Sequence, residues 1–146
     1  MAVFVEKIST HDAFELAMGI RQKVFVEEQE VPADEEYDEY ESSSTHFLAQ
    51  VDGVAAGTAR WRFTDKGIKL ERFAVKKEFR SSCVGSALLA AVLADIAAAP
   101  NTQDKKMYMH AQISAMGLYA KFGFEAEGEK FKECNIEHYK MSKPSV

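Results

Sequence analysis

Apolar and polar positions alternate in short segments that predict strands and helices in mixed order. A strand is predicted over residues 2–7, and Ser9 and Thr10 then supply caps for a helix expected to run to about Glu28. Three strands follow, over 46–51, 54–63 and 68–75. Asp52-Gly53 and Asp65-Lys66-Gly67 join them, and both are typical of tight hairpin turns. The pattern therefore predicts three consecutive antiparallel strands.

The second half of the chain begins with an alanine- and leucine-rich segment that predicts a helix packed on the sheet, ended by Pro100 and Asn101. A strand over 106–113 and a helix over 114–122, closed by Gly123, come next. The remaining tail offers one or two further strands. This order of elements indicates an α+β domain spanning 1–146, with helices on a mixed, mostly antiparallel sheet.

Composition supports a globular chain and narrows its chemistry. The 146 residues are 47% hydrophobic and 28% charged, the balance of one globular domain. Cys83 and Cys134 lack the spacing of a metal site or a disulfide framework, so we expect no metal and a reducing, cytoplasmic setting. No apolar stretch is long enough to span a membrane, and the first residues do not resemble a signal peptide.

Charge is unevenly distributed along the chain. The net charge is −5, and residues 27–41 hold nine acidic side chains and no basic one. Such a segment repels phosphate backbones, so a nucleic-acid partner is not expected. The segment is either a solvated loop or a surface that attracts amines.

The segment Arg80-Ser81-Ser82-Cys83-Val84-Gly85-Ser86 lies between a predicted strand and a predicted buried helix. Backbone N–H groups at a helix start favour a phosphate, small side chains let it approach, and Arg80 adds a forked cation. The same small residues also serve as ordinary helix caps. No GxxxxGK[ST] or GxGxxG motif is present, which disfavours P-loop hydrolases and dinucleotide dehydrogenases.

With Ala74-Val75 before it, Arg80–Gly85 resembles the R/Q-x-x-G-x-G/A coenzyme loop of the GNAT superfamily of N-acetyltransferases. Nearly the whole chain is similar to a small bacterial subgroup of the YjcF and ElaA type, through the stretches 21–32, 59–62, 69–75, 110–124 and 127–141. The resemblance implies six to seven strands flanked by about four helices, with acetyl-CoA as cosubstrate. Cys83 departs from the family, which usually has glycine there. Phosphate binding tolerates the cysteine unless residue 83 requires a positive φ.

The resemblance also implies roles for individual residues. The pantetheine arm would pair with the strand ending in Phe73, Ala74 and Val75, and the N–H near Val75 would stabilise the oxyanion. Arg80, Ser81, Ser82, Cys83, Val84, Gly85 and Ser86 would hold the pyrophosphate. Tyr119 would contact the coenzyme and protonate the leaving thiolate, the alternative being an aromatic core residue.

The general base is left open between Glu71 and His110. Glu71 could instead form a salt bridge with a cross-strand arginine, and His110 could instead hold the coenzyme or a water molecule. Four arginines either contact a carboxylate of the acceptor or pair with other side chains: Arg21, Arg60, Arg62 and Arg72.

The expected function is direct acetyl transfer from acetyl-CoA to an amine of a small, cationic acceptor, without a covalent acyl-enzyme. The alternative is a coenzyme-binding or interaction module of the same fold with little or no turnover, which the Cys83 departure supports. The sequence does not decide between a monomer and a homodimer.

Overall fold

A seven-stranded sheet organises the computed structural model, which describes residues 2–144. The elements in chain order are β1 Val3–Lys7, α1 His11–Arg21 with a π-helical continuation Gln22–Glu28 (the π segment), α2 Ala33–Glu36, β2 Thr45–Val51, β3 Val54–Thr64, β4 Gly67–Val75, α3 Val84–Ala98, β5 Met107–Gln112, α4 Met116–Lys121, β6 Glu125–Glu133 and β7 Ile136–Lys143. The strand order is β1-β2-β3-β4-β5-β7-β6, and only β4 and β5 pair in parallel. The predicted α+β class with a mostly antiparallel sheet and four helices is confirmed.

Helices cover both faces of the sheet because successive side chains of each strand point to opposite faces. Phe47 and Ala49 of β2 belong to the core under α3, which contributes Leu88, Leu89, Val92 and Ile96. Leu48 lies between them in sequence and packs instead with Ile20, Val24 and Phe25 of α1 and the π segment. α3 thus packs on the sheet as predicted, but only one side of it is buried, since Ala90, Ala94, Ala97 and Ala98 are exposed.

Turn chemistry explains two of the hairpin connections. Asp52 and Gly53 have φ values of 49° and 83°, which confirms the predicted tight hairpin between β2 and β3. The tail forms both of its offered strands, joined at Cys134 and Asn135 with φ values of 50° and 63°. The helix expected to end near Glu28 does so, although its last seven residues are π-helical.

The two parallel strands separate after a short contact. β4 and β5 pair only at Ile68 with Met107 and at Lys69 with Tyr108, whereas β5 pairs with β7 along its whole length. A register shift between β3 and β4 accompanies a left-handed Arg72, with φ 58°, which is typical of a β-bulge. A cleft therefore opens beside the carboxyl-terminal half of β4, on the side toward α4.

None of the helices within residues 2–144 combines the length and the apolar character that a membrane crossing requires.

Candidate active site

The cleft contains a cavity of about 290 Å³. Its walls come from β4, β5, α4, the π segment, the acidic segment and the β6–β7 hairpin. Phe73 and Tyr119 meet edge to face across it, with ring centroids 5.9 Å apart. Gln29 and Gln112 exchange two amide hydrogen bonds of 2.9 and 3.3 Å at its border. The separation of β4 and β5 thus creates a lined site between two strands.

The 80–86 loop leads into α3, whose first N–H groups have no partner within the helix. Cys83 precedes the helix in the left-handed region, at φ 62° and ψ 23°. Residue 83 thus adopts the conformation for which glycine is favoured, and a side chain there costs roughly 1–2 kcal/mol. A positive φ at residue 83 is the condition under which a cysteine there hinders phosphate binding, and the backbone meets it.

Gly85 packs closely against α4. A Cβ atom on Gly85 would lie 3.1 Å from Cδ2 of Leu118, which adjoins Tyr119 in the chain. The start of α3 and the helix that carries Tyr119 are therefore closely packed, and a larger residue at position 85 would displace one of them.

Arg80 lies where a phosphate ligand is expected, but it already has a carboxylate partner. Its Nη1 and Nη2 donate to Glu28 at 2.5 and 2.6 Å, and its Nε donates to the Val75 carbonyl at 3.0 Å. The hydrogen bond from Arg80 lowers the pKa of Glu28. Because both side chains are about 40% exposed, this pair is open to exchange with an incoming anion.

Tyr119 lines the cavity from α4 and is buried. Burial raises the pKa of its phenol well above the ordinary value. The hydroxyl therefore stays protonated at neutral pH, and complete release of its proton is harder than from an exposed tyrosine.

Glu71 is held by four cations, of which Arg72 is the most distant, with Nη1 at 4.0 Å. Its carboxylate accepts from Arg60 Nε at 2.9 Å and from Arg62 Nε at 2.7 Å, and Lys69 Nζ lies 3.3 Å away. Burial opposes ionisation of Glu71, but Arg60, Lys69 and Arg62 outweigh it and lower its pKa to about 2. So stable a carboxylate is a weak proton acceptor, and the geometry favours the cross-strand salt bridge over the role of base.

Arg60 and Arg21 form the centre of a buried arginine cluster. Arg60 is fully buried and donates to Asp38 at 2.7 Å and to Glu41 at 2.8 Å. Arg21, 1% exposed, donates to Glu41 and, through Nε at 2.7 Å, to Glu36. The cluster consists of Arg21, Arg60 and Arg72 with Glu36, Asp38, Glu41 and Glu71.

The cluster gives the acidic segment a role that sequence reasoning missed. The segment was expected to be either a solvated loop or an amine-attracting surface, yet Glu28, Glu36, Asp38 and Glu41 are counterions of arginines. One signal in the sequence could have revealed this role: Arg60 and Arg72 lie on strands that are otherwise buried. Buried charges require partners, and the acidic segment supplies them. Their partners in the acidic segment lie 19 to 36 residues away.

His110 extends from β5 into the cavity wall. Its Nδ1 lies 3.0 Å from Glu133 Oε2, and Phe131 meets its ring edge to face at 5.1 Å. Glu133 was not anticipated from the sequence. His138, also in the wall, donates from Nδ1 to the Ile136 carbonyl at 2.7 Å. The hairpin that carries Glu133 thus reaches over the cavity toward β5.

The cysteines and possible metal ligands add little to the site. Cys83 and Cys134 are exposed free thiols, and Cys134 Sγ donates to Glu35 at 3.3 Å. Across residues 2–144 no three histidine, cysteine or acidic side chains are grouped in a way that could hold a metal ion.

Comparisons with known proteins agree with this architecture. Residues 8–145 match the model of the acetyltransferase (GNAT) domain. The chain is 38% identical to the uncharacterized N-acetyltransferase YjcF of Bacillus subtilis (strain 168), over 87% of this chain and 89% of that protein.

Two solved structures share the fold. Escherichia coli ElaA superposes with a TM-score of 0.81 at 21% identity, covering 97% of this chain and 99% of that one. An acyl-CoA N-acyltransferase from Pseudomonas aeruginosa gives 0.75 at 22% identity, with 97% and 98% covered. With the family match over nearly the whole chain, these findings confirm the resemblance: the chain belongs to the GNAT acetyltransferases and is an acyltransferase.

Proposed function

We propose that this protein transfers the acetyl group of acetyl-CoA directly to the amine of a small acceptor. The observation that carries the proposal is the cavity between β4 and β5, because Phe73, Tyr119 and His110 line it and the 80–86 loop lies at the end of β4. A site of this shape holds an extended acyl donor and an acceptor together, and closeness of two reactants is a major source of rate.

The coenzyme would be held from both ends of the cleft. Its pyrophosphate would accept hydrogen bonds from N–H groups at the start of α3, with Arg80 exchanging Glu28 for phosphate. Its pantetheine arm would run along Phe73, Ala74 and Val75, beyond the point where β4 pairs with β5. An N–H near Val75 would then stabilise the oxyanion that forms when the amine attacks the thioester carbonyl.

Acetyl transfer to an ammonium moves protons at two places, the acceptor nitrogen and the departing sulfur. An ammonium acceptor loses two protons in all, one before the C–N bond forms and one after it. The C–S bond breaks, and the departing thiolate takes a proton from the Tyr119 hydroxyl. The second proton lost by the acceptor nitrogen returns to the Tyr119 oxygen, which restores the phenol. Since burial raises the pKa of Tyr119, its first contribution is a hydrogen bond that strengthens as charge grows on the sulfur.

The acceptor is proposed to be a small amine of cationic character. The cavity is about 290 Å³, the lower end of ligand-sized cavities. Of its acidic wall residues, Glu36, Asp38 and Glu71 belong to the arginine cluster, which leaves Glu35 and Glu133 to attract a cation. The electrostatic preference for amines therefore rests on these two side chains more than on the whole acidic segment.

A second candidate is a module of the same fold that binds the coenzyme with little turnover. The left-handed Cys83 favours it, because a side chain at the family's glycine position narrows the approach of the pyrophosphate.

A thiol-release screen separates the two candidates. Acetyl-CoA is incubated with the protein and with polyamines, amino acids, amino sugars or peptides, and the products are identified by mass spectrometry. The proposal predicts amine-dependent thiol release matched by an equal amount of acetylated amine. Coenzyme binding without amine-dependent release from any of these classes would favour the module instead.

A further inference from the structure

Glu133 is the carboxylate that contacts His110, and it does so from a strand two positions away in the sheet. His110 lies on β5, β7 is its neighbour, and Glu133 ends β6, the edge strand beyond β7. The turn at Cys134 and Asn135, both with positive φ, fixes the position from which Glu133 extends. A carboxylate oxygen 3.0 Å from Nδ1 is within hydrogen-bond distance.

This contact determines which ring nitrogen carries the proton in neutral His110. A carboxylate only accepts, so Nδ1 must donate, and Nε2 is left with its lone pair free. Phe131 meets the ring edge to face and limits its rotation. Since His110 lines the cavity, Nε2 is the nitrogen left for a substrate proton.

Titratable side chains from several strands surround the pair. His110 pairs with Lys140 on the neighbouring strand β7. The hydrogen bond from His110 lowers the pKa of Glu133, so the carboxylate is ionised at neutral pH. The other titratable groups near the pair include Tyr108 on β5, Lys69 on β4, His138 on β7 and Cys134 in the turn after Glu133.

We propose that Glu133 is a positioning residue for His110, which accepts the proton of the acceptor ammonium through Nε2. The inference rests on the proposed function and selects His110 over Glu71, whose carboxylate is committed to Arg60 and Arg62.

The proton step is simple. The ammonium N–H bond breaks and an Nε2–H bond forms, which leaves a neutral amine facing the thioester and an imidazolium facing Glu133. The carboxylate stays ionised and stabilises that imidazolium. The imidazolium then releases its proton to water, which restores the ring for the next turnover.

The test compares Glu133→Gln and Glu133→Asp with Glu137→Gln, which removes an exposed carboxylate from the same hairpin. The His110 and Glu133 side chains are 28% and 43% exposed, so loss of their pair should leave the fold and acetyl-CoA binding intact.

The first measurement is the dependence of kcat/KM on pH with the best amine of the screen. We expect Glu133→Gln to lose about tenfold in kcat/KM, a part of what a general base contributes. Glu133→Asp should recover much of the rate.

The second measurement needs no activity. Nitrogen-15 NMR of the four histidines, with His110 assigned from a His110→Gln variant, reports which ring nitrogen is protonated. Wild-type His110 should carry its proton on Nδ1, and Glu133→Gln should show both tautomers. A wild-type ring protonated on Nε2, or a Glu133→Gln pH profile equal to that of Glu137→Gln, would overturn the inference and leave the proposed function standing. Absence of amine-dependent thiol release in the wild type would instead overturn the proposed function.

Discussion

Arg60 and Arg80 are both paired with carboxylates of the acidic segment, but their surroundings differ. Arg60 is fully buried and shares Asp38, Glu41 and Glu71. Arg80 is 41% exposed and holds one carboxylate, Glu28, beside the start of α3. Removing the partners of a buried charge leaves it without solvation, whereas an exposed charge readily exchanges one partner for another.

Arg60 therefore belongs to a structural scaffold, whereas Arg80 is a candidate binding group. The arginine cluster fixes the acidic segment over the cavity, and its charged groups are paired with one another. Arg80 is 41% exposed, and under the proposed function the pyrophosphate would displace Glu28 from it. The two arginines look alike in the sequence, but we expect them to respond differently to mutation. Mutation of Arg60 should change stability, and mutation of Arg80 should change coenzyme binding.

The largest expected effect is on the scaffold. Arg60→Gln leaves Asp38, Glu41 and Glu71 without their shared cation, and it should lower the free energy of unfolding by about 3–5 kcal/mol in urea titrations. Arg80→Gln is the matched control and should change the stability by less than about 1 kcal/mol. Equal losses in the two variants would remove the distinction between scaffold and binding group.

Tyr119→Phe should lower kcat by about 10²-fold, because it removes the hydroxyl that serves the thiolate while keeping the ring against Phe73. Acetyl-CoA affinity should be nearly unchanged. Tyr108→Phe also removes a tyrosine hydroxyl, one bound to Thr64, and should leave kcat unchanged. If Tyr119→Phe instead loses affinity and melting temperature together, Tyr119 is a packing residue.

Cys83→Gly should raise the free energy of unfolding by roughly 1 kcal/mol, since glycine adopts φ 62° without steric cost. Acetyl-CoA affinity should be equal or better, because the approach of the pyrophosphate widens. Cys83→Ala keeps a Cβ and should show neither gain. A tenfold loss of affinity in Cys83→Gly would reveal a contact made by the thiol.

Glu28→Gln should tighten acetyl-CoA binding by a few fold, the smallest effect, because it removes the charge that competes with phosphate for Arg80. Glu27→Gln removes an exposed neighbouring charge and serves as the control in the same calorimetric titrations. Weaker binding in Glu28→Gln would show that the pair with Glu28 positions Arg80 for phosphate.

The local sequence pattern was sufficient to predict much of the secondary structure. Alternating apolar residues and Asp52-Gly53 predicted β2 and β3, and alanine-rich periodicity predicted α3, because these signals act between neighbours in the chain. The family resemblance placed Tyr119 and His110 in one site, and the cavity contains both.

Pairings between distant residues were beyond local signals. Glu133 lies 23 residues from His110, and Arg60 lies 22 from Asp38, so neither pairing has a spacing that could reveal it. The left-handed backbone of Cys83 was equally hidden, since cysteine has no preference for that conformation. Tertiary structure decides all three.

Calorimetric titration of acetyl-CoA tests the central claim, that the 80–86 loop holds the coenzyme through Arg80. The wild type should bind, and Arg80→Glu should lose at least about tenfold in affinity, because charge reversal repels the pyrophosphate. Lys66→Glu carries the same reversal on the exposed turn between β3 and β4 and should bind like the wild type. Wild-type affinity in Arg80→Glu would contradict the account and place the coenzyme elsewhere.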